Sequence, residues 1–133
     1  LAGAWDAEVR IDERLREISF GDWEGRSWDD IGSADRDALD FWAQDWVHFP
    51  PPGGESGVAL AARVRAVLDE LLPIVTAATS AVVVVGHAGW IRVAATRLLG
   101  EPVAAAFRRG ITVAEMLRAL LAREFPDSNG DAP

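Results

Sequence analysis

Apolar and polar positions follow two different rhythms along this chain, and each rhythm predicts an element. From Leu60 to Val75 apolar side chains recur at steps of three and four, through Val64, Val67, Leu68 and Leu71. That spacing predicts an amphipathic helix, with Arg63, Arg65, Asp69 and Glu70 facing away from the core. Ser56 stands where an N-cap is needed, and Pro73 is expected to end or kink the helix. A second helical rhythm, Gly89 to Leu99, passes through Ile91, Ala94, Ala95 and Leu98 and stops at Gly100 and Pro102. Between the two lies Ala81 to Val85, an apolar and largely β-branched run without alternation. Such a run predicts a strand covered on both faces of a parallel sheet. Helix, strand and helix in succession predict an α/β architecture.

Elsewhere the pattern is less regular. Val9 to Asp12 alternates briefly, as a short strand would, and leads into an irregular segment from Glu13 to Gly25. Ser27 is placed to cap a helix over Trp28 to Ile31, and Asp35 to Trp46 carries Leu39, Trp42 and Trp46 at helical spacing. Pro50, Pro51 and Pro52 followed by Gly53 and Gly54 enforce a turn. After Gly110, Ile111 to Ala114 suits an edge strand, and Glu115 to Glu124 is rich in helix formers. No repeat or internal linker divides the chain, so residues 1–125 are expected to form part of one domain, and residues 126–133 a flexible tail.

Composition narrows the functional classes. The chain has 133 residues, half of them hydrophobic, which is enough for one core. With 21 acidic and 13 basic residues its net charge is −8, which opposes binding to nucleic acid or anionic membrane. An anionic ligand must therefore be held by a local site. The absence of cysteine excludes disulfides, thiolate metal sites and a cysteine nucleophile, and a cytoplasmic location is the plain expectation. No apolar run is long enough to span a bilayer as a helix.

Three segments carry candidate chemistry. In Val85-Gly86-His87-Ala88-Gly89 the expected strand runs directly into a helix, with a histidine at the junction. Ligands of parallel α/β sheets bind at the carboxyl ends of strands, where the next helix presents unpaired N–H groups to an anion. Small residues at 86, 88 and 89 let a phosphate approach the backbone. A histidine that merely satisfies its own hydrogen bonds at a strand end is the alternative. The second segment is Leu15 to Gly25, an irregular, aromatic-rich loop with several carboxylates. Glu17, flanked by Leu15, Ile18 and Phe20, is its best general acid, since apolar surroundings disfavour the charged form of a carboxyl group. By residue type alone a surface charge is the commoner outcome, and the chemistry leaves both open. The third segment, Pro52-Gly53-Gly54-Glu55-Ser56, reads mainly as a turn and a cap, with Glu55 at a site mouth.

Taken in order, these segments resemble the histidine phosphatase superfamily, in particular its small phosphatases related to α-ribazole phosphatase and cofactor-dependent phosphoglycerate mutase. The likeness rests on L-x-E-x-x-F-G-x-W-E-G at Leu15 to Gly25, P-G-G-E-S at Pro52 to Ser56 and V-G-H-A-G-W-I-R at Val85 to Arg92, and it covers Val9 to Val103. It implies a three-layer α/β/α fold with a mostly parallel sheet, lacking its first strand. It also implies transfer of a phosphoryl group to a histidine, protonation of the leaving oxygen by a carboxylic acid, and release of phosphate by water. By position Glu17 resembles the proton donor and later the base, His87 the second pocket histidine, and the Ala88 N–H a further donor to the phosphoryl oxygens. Glu55 would sit near the substrate.

No metal or cofactor is called for, and the implied partner is a small phosphorylated metabolite. The family's nucleophile lies in an Arg-His-Gly motif, whereas no Arg-His pair occurs in this sequence. This chain alone is therefore expected to be inactive, with an N-terminal segment or a partner chain to complete it. The alternative is a pseudophosphatase that binds a phosphorylated ligand or a protein. His48 suits a core or surface role. Trp23, Trp28, Trp42 and Trp46 are expected to pack or roof a pocket, and the arginines to be mostly structural, with Arg92 the one to test as a phosphate ligand.

Overall fold

The structure, a computed structural model, describes residues 8–77 and 82–108. Among them, helices follow in the order α1 (Trp28–Ala34), α2 (Arg36–Gln44), α3 (Gly57–Ala77) and α4 (Ala88–Leu99). Short 3-10 turns lie at Glu13–Leu15, Gly21–Trp23 and Val103–Ala105.

The apolar stripe of α3 does what its spacing predicts. Leu60 and Val64 have no exposed surface, and with Val67 and Leu68 they pack against Trp90, Val93 and Ala94 of α4. Burying such a side chain contributes about 1.5–3 kcal/mol each, so this helix pair is the main apolar store of the described residues. Ile18 and Ala106 close the same core from either side. Ser56 caps α3, its Oγ accepting from the Ala59 N–H at 3.2 Å. At the far end of α4, Gly100 takes the left-handed conformation (φ 73°), and the Glu101 N–H returns to the Thr96 carbonyl at 2.8 Å. That is the Schellman stop expected of a glycine there.

Helices α1 and α2 form a smaller annex. Ser27 caps α1, its Oγ accepting from the Asp30 N–H at 3.2 Å. Trp42 of α2 stacks on Trp28 of α1 with centroids 5.6 Å apart, and Phe20 and Trp23 meet Trp42 edge-on. Each such pair adds about 0.5–1.5 kcal/mol beyond area burial. The tryptophans thus tie the annex to the Gly21–Trp23 turn.

Four expectations need correction. Helix α3 continues through Pro73 to Ala77. The ring costs one helical hydrogen bond there, and the next turn still forms, with the Thr76 hydroxyl donating to the Leu72 and Pro73 carbonyls. Helix α2 stops at Gln44, so Trp46 lies in the following turn, where its ring meets Phe107 edge-on at 4.5 Å. Val9 to Asp12 is not a strand: Ile11 is 95 % exposed, and the Asp12 carboxylate accepts from the Arg14 N–H at 2.9 Å, which bends the chain into the first 3-10 turn. Arg63 does not face away from the core; its side chain is only 11 % exposed.

Val82 to Val85 has no strand pairing among the described residues, and its side chains are exposed, Val85 by 74 %. With no neighbouring strand described, its valines have nothing to cover them. Ala81, Ile111 to Ala114, Glu115 to Glu124 and the tail at 126–133 lie outside the described residues. Among those described, no helix is long and apolar enough to cross a membrane.

Truncating Leu60 to alanine empties the centre of the α3–α4 contact. A loss of about 2–5 kcal/mol is expected, read from urea denaturation of the native and Leu60→Ala proteins.

Candidate active site

The segment from Leu15 to Asp22 has little regular structure, yet it touches both other candidate segments. Towards the proline-glycine turn the contact is between main chains. The Asp22 N–H donates to the Pro52 carbonyl at 2.9 Å, and the Glu55 N–H donates to the Ser19 carbonyl at 2.8 Å. Gly21, at φ 54°, and Gly54 lie where an added Cβ would overlap the opposite backbone. Within the loop, Glu24 accepts from the Ser19 hydroxyl at 2.9 Å and the Phe20 N–H at 3.0 Å, folding the segment back on itself.

Towards α4 the contact is made by Glu17. Its Oε2 accepts from the Gly89 N–H at 3.0 Å, and its Oε1 accepts from the Ile18 N–H at 3.0 Å. Gly89 is the second residue of α4, so this carboxylate sits on an otherwise unpaired N–H at the positive end of the helix dipole. A side chain at 89 would collide with it, because an added Cβ would overlap Oε1 of Glu17. Gly86 also neighbours the Leu15 carbonyl, where an added Cβ would make ordinary contact at 3.6 Å. The loop that carries Glu17 and the turn that opens α4 are thus packed together over a separation of 72 positions.

Ala88 opens α4, and His87 is its N-cap residue, with extended backbone and a carbonyl that accepts from the Ile91 N–H at 2.9 Å. The His87 imidazole makes no capping bond and is exposed. Glu17, His87 and Ala88 are therefore gathered at one helix terminus.

Glu55 is held by α3. Its two oxygens accept from Nε and Nη2 of Arg63, both at 2.8 Å, in a fork that leaves the pair largely buried. The same guanidinium donates to the carbonyls of Arg14 and Arg16 at 2.7 Å each and of Glu17 at 3.0 Å. All five of its N–H donors are engaged. Sequence reasoning puts Arg63 on the outer face of α3, although 63 is three positions after Leu60 and four before Val67. That phase lies on the shoulder of the buried stripe and is the signal that could have found it.

Arg92 and His48 each have an aromatic or acidic neighbour. Arg92 places its guanidinium 5.6 Å from the centre of the Phe107 ring. His48 is exposed and pairs through Nδ1 with the Asp45 carboxylate at 2.8 Å.

Comparison with known proteins gives this geometry its context. The model of the histidine phosphatase superfamily (branch 1) matches residues 1–126. The chain belongs to the histidine phosphatase superfamily. Among characterised members, an adenosylcobalamin/alpha-ribazole phosphatase of Escherichia coli is 33% identical over 97 residues, covering 73% of this chain and 47% of that protein. A glucosyl-3-phosphoglycerate phosphatase of Mycobacterium tuberculosis is 38% identical over 102 residues, covering 72% of this chain and 45% of that protein. The crystal structure of the alpha-ribazole phosphatase from Shigella flexneri superposes with a TM-score of 0.72 at 27% identity, over 84% of this chain and 54% of that one. A mycobacterial glucosyl-3-phosphoglycerate phosphatase in complex with inorganic phosphate gives 0.68 at 35% identity, over 82% and 55%. The chain thus spans about half the length of the histidine phosphatases it matches.

The Glu55–Arg63 pair has a pH signature. Burial pushes the Glu55 carboxyl up, but the hydrogen bonds and charge of Arg63, a bond to the Ser19 backbone and the charge of Arg16 outweigh it, so the net shift is downward. A carboxyl depressed in the folded state stabilises the fold above its unfolded value and loses that contribution as pH falls through the folded value. Glu55→Gln should therefore cost about 1.5–3 kcal/mol at neutral pH. The gap to the native protein should close as pH drops below the ordinary glutamate value of about 4.3. Urea denaturation across that range checks both.

Proposed function

We propose that the longest natural chain containing this sequence is a phosphatase that hydrolyses a small phosphomonoester through a phosphohistidine intermediate. The observation that carries the proposal is the bond from the Gly89 N–H to Glu17 Oε2, which brings a carboxyl group to the helix terminus whose N-cap residue is His87. A helix N-terminus with small residues suits phosphoryl oxygens, and a carboxyl group beside it is placed to serve the oxygen that leaves.

In this scheme a histidine nitrogen, supplied by an Arg-His-Gly segment that this sequence does not contain, attacks phosphorus. The bond from phosphorus to the ester oxygen breaks as Glu17 gives that oxygen its proton. Water then attacks phosphorus, Glu17 takes the water's proton, and the P–N bond breaks to release phosphate and the free imidazole. His87 and the Ala88 N–H hold the phosphoryl oxygens, where charge-assisted bonds are strongest against the transition state.

The same proposal sets Val82 to Val85 in a mostly parallel sheet between two helical layers, with residues 1–125 as the C-terminal portion of one domain. A cytoplasmic setting agrees with a cysteine-free chain. The chain as given, with no Arg-His pair, would bind phosphate without turnover.

Three variants of the longer protein test the scheme. Glu17→Gln is expected to lower kcat/KM on an alkyl phosphate by about 10²–10⁴. His87→Ala should weaken inhibition by inorganic phosphate by about ten- to a hundredfold. Gly89→Ala, whose added methyl group displaces the Glu17 carboxylate, should reproduce the Glu17→Gln loss while the protein stays folded. Native kinetics in Glu17→Gln and His87→Ala would refute the assignments, and so would sustained aryl phosphate hydrolysis by the 133-residue chain alone.

A further inference from the structure

The reaction just proposed requires Glu17 to hand over a proton at a defined point, but Glu17 lies on a segment with almost no backbone ladder to hold it. Main-chain bonds to the proline-glycine turn hold it at Ser19 and Asp22, and from Arg14 to Glu17 it is held by a side chain of α3. Arg63 Nη1 bridges the carbonyls of Arg14 and Arg16 at 2.7 Å each, and Nη2 reaches the carbonyl of Glu17 itself at 3.0 Å. The guanidinium is in turn held in plane by Glu55, whose two oxygens take its remaining N–H groups at 2.8 Å. A side chain with all five donors satisfied and little exposure has one favourable orientation. The main chain of Glu17 therefore has one favourable position relative to α3.

From Glu17 the side chain extends to the Gly89 N–H on α4, the helix that α3 packs against. The carboxylate is thus positioned by both helices, through the guanidinium of Arg63 at its backbone and through the α4 amide at its tip.

We infer that Arg63, locked by Glu55, is a positioning residue for the proton donor, and that Glu55 acts through it rather than by touching substrate. The inference rests on the proton-donor role of Glu17. It gives the P-G-G-E segment and the first turns of α3 a mechanical role, that of delivering the carboxylate to α4. The donors of Arg63 and both oxygens of Glu55 are taken up within this cluster, so the inference gives them a positioning role and not a catalytic one.

The test is the dependence of kcat/KM on the leaving group, measured in the longer protein with an alkyl phosphate and with 2,4-dinitrophenyl phosphate. An alkoxide needs a proton as it departs, whereas dinitrophenolate leaves without one. A displaced proton donor therefore costs rate on the first substrate and spares the second. Arg63→Lys keeps the charge but offers at most three donors in place of the planar five. It should lower kcat/KM for the alkyl phosphate by on the order of a hundredfold, as about 1 Å of misplacement does. Its kcat/KM for the dinitrophenyl ester should fall by no more than about threefold, because the phosphoryl pocket of His87 and Ala88 is untouched.

Glu55→Gln, which keeps the shape of its side chain, should show the same selectivity to a smaller degree, and it carries the test if Arg63 variants do not fold. The double variant Glu17→Gln/Arg63→Lys should be no slower on the alkyl phosphate than Glu17→Gln, since Arg63 works only through Glu17. Equal losses on both substrates in Arg63→Lys and Glu55→Gln, alongside a selective loss in Glu17→Gln, would overturn the inference and leave the proton donor standing. Equal losses in Glu17→Gln itself would remove the proton-donor role and this inference with it.

Discussion

One guanidinium holds the site together. Main-chain carbonyls in an irregular segment need partners, and left unpaired in a partly buried place each costs about 1–3 kcal/mol. Arg63 answers three of them at once and carries a charge that Glu55 balances. Without this arrangement the segment from Arg14 to Glu17 would have to find water or a strand to bond with. Either outcome moves the carboxylate away from α4. Arg14 adds a second tether to the same helix by pairing with Glu70 at 2.7 Å, but that pair lies at the surface, where such bonds stabilise little.

Missing side-chain atoms complement the guanidinium. Gly21 and Gly54 let two loops touch through their backbones, and Gly89 leaves room for a carboxylate directly over a helix amide. The three segments are held by N–H and carbonyl dipoles, and their close approach depends on absent Cβ atoms.

How much of this is legible in the chain differs by element. The stripe from Leu60 to Val75, the caps Ser27 and Ser56 and the stop at Gly100 are local patterns with local causes, and each appears where its chemistry requires. The bond from Gly89 to Glu17 joins positions 72 apart, and periodicity says nothing about such a pair. The order and spacing of the three motifs point to it only through family likeness. Arg63 is misplaced when charge is weighed above helical phase, whereas a long arginine on the shoulder of a buried stripe can turn inwards when an acid and free carbonyls await it. For Val82 to Val85 composition predicts the cover of a sheet, and no strand among the described residues supplies it. A run of valines specifies a demand without stating what meets it.

The bond from the Asp22 N–H to the Pro52 carbonyl has a consequence for everything between those two positions. It pins both feet of the stretch that contains α1, α2 and their stacked tryptophans, so that stretch is a closed excursion from the loop that carries Glu17. The entropy of closure grows only slowly with the number of residues enclosed. Changes on the exposed faces of α1 and α2 would thus leave the carboxylate and its helix where they are, whereas Trp46 and Val47, whose carbonyls accept from the Gly57 and Val58 N–H groups, belong with the start of α3. The outer surface of that excursion is free to vary without strain reaching the loop it springs from.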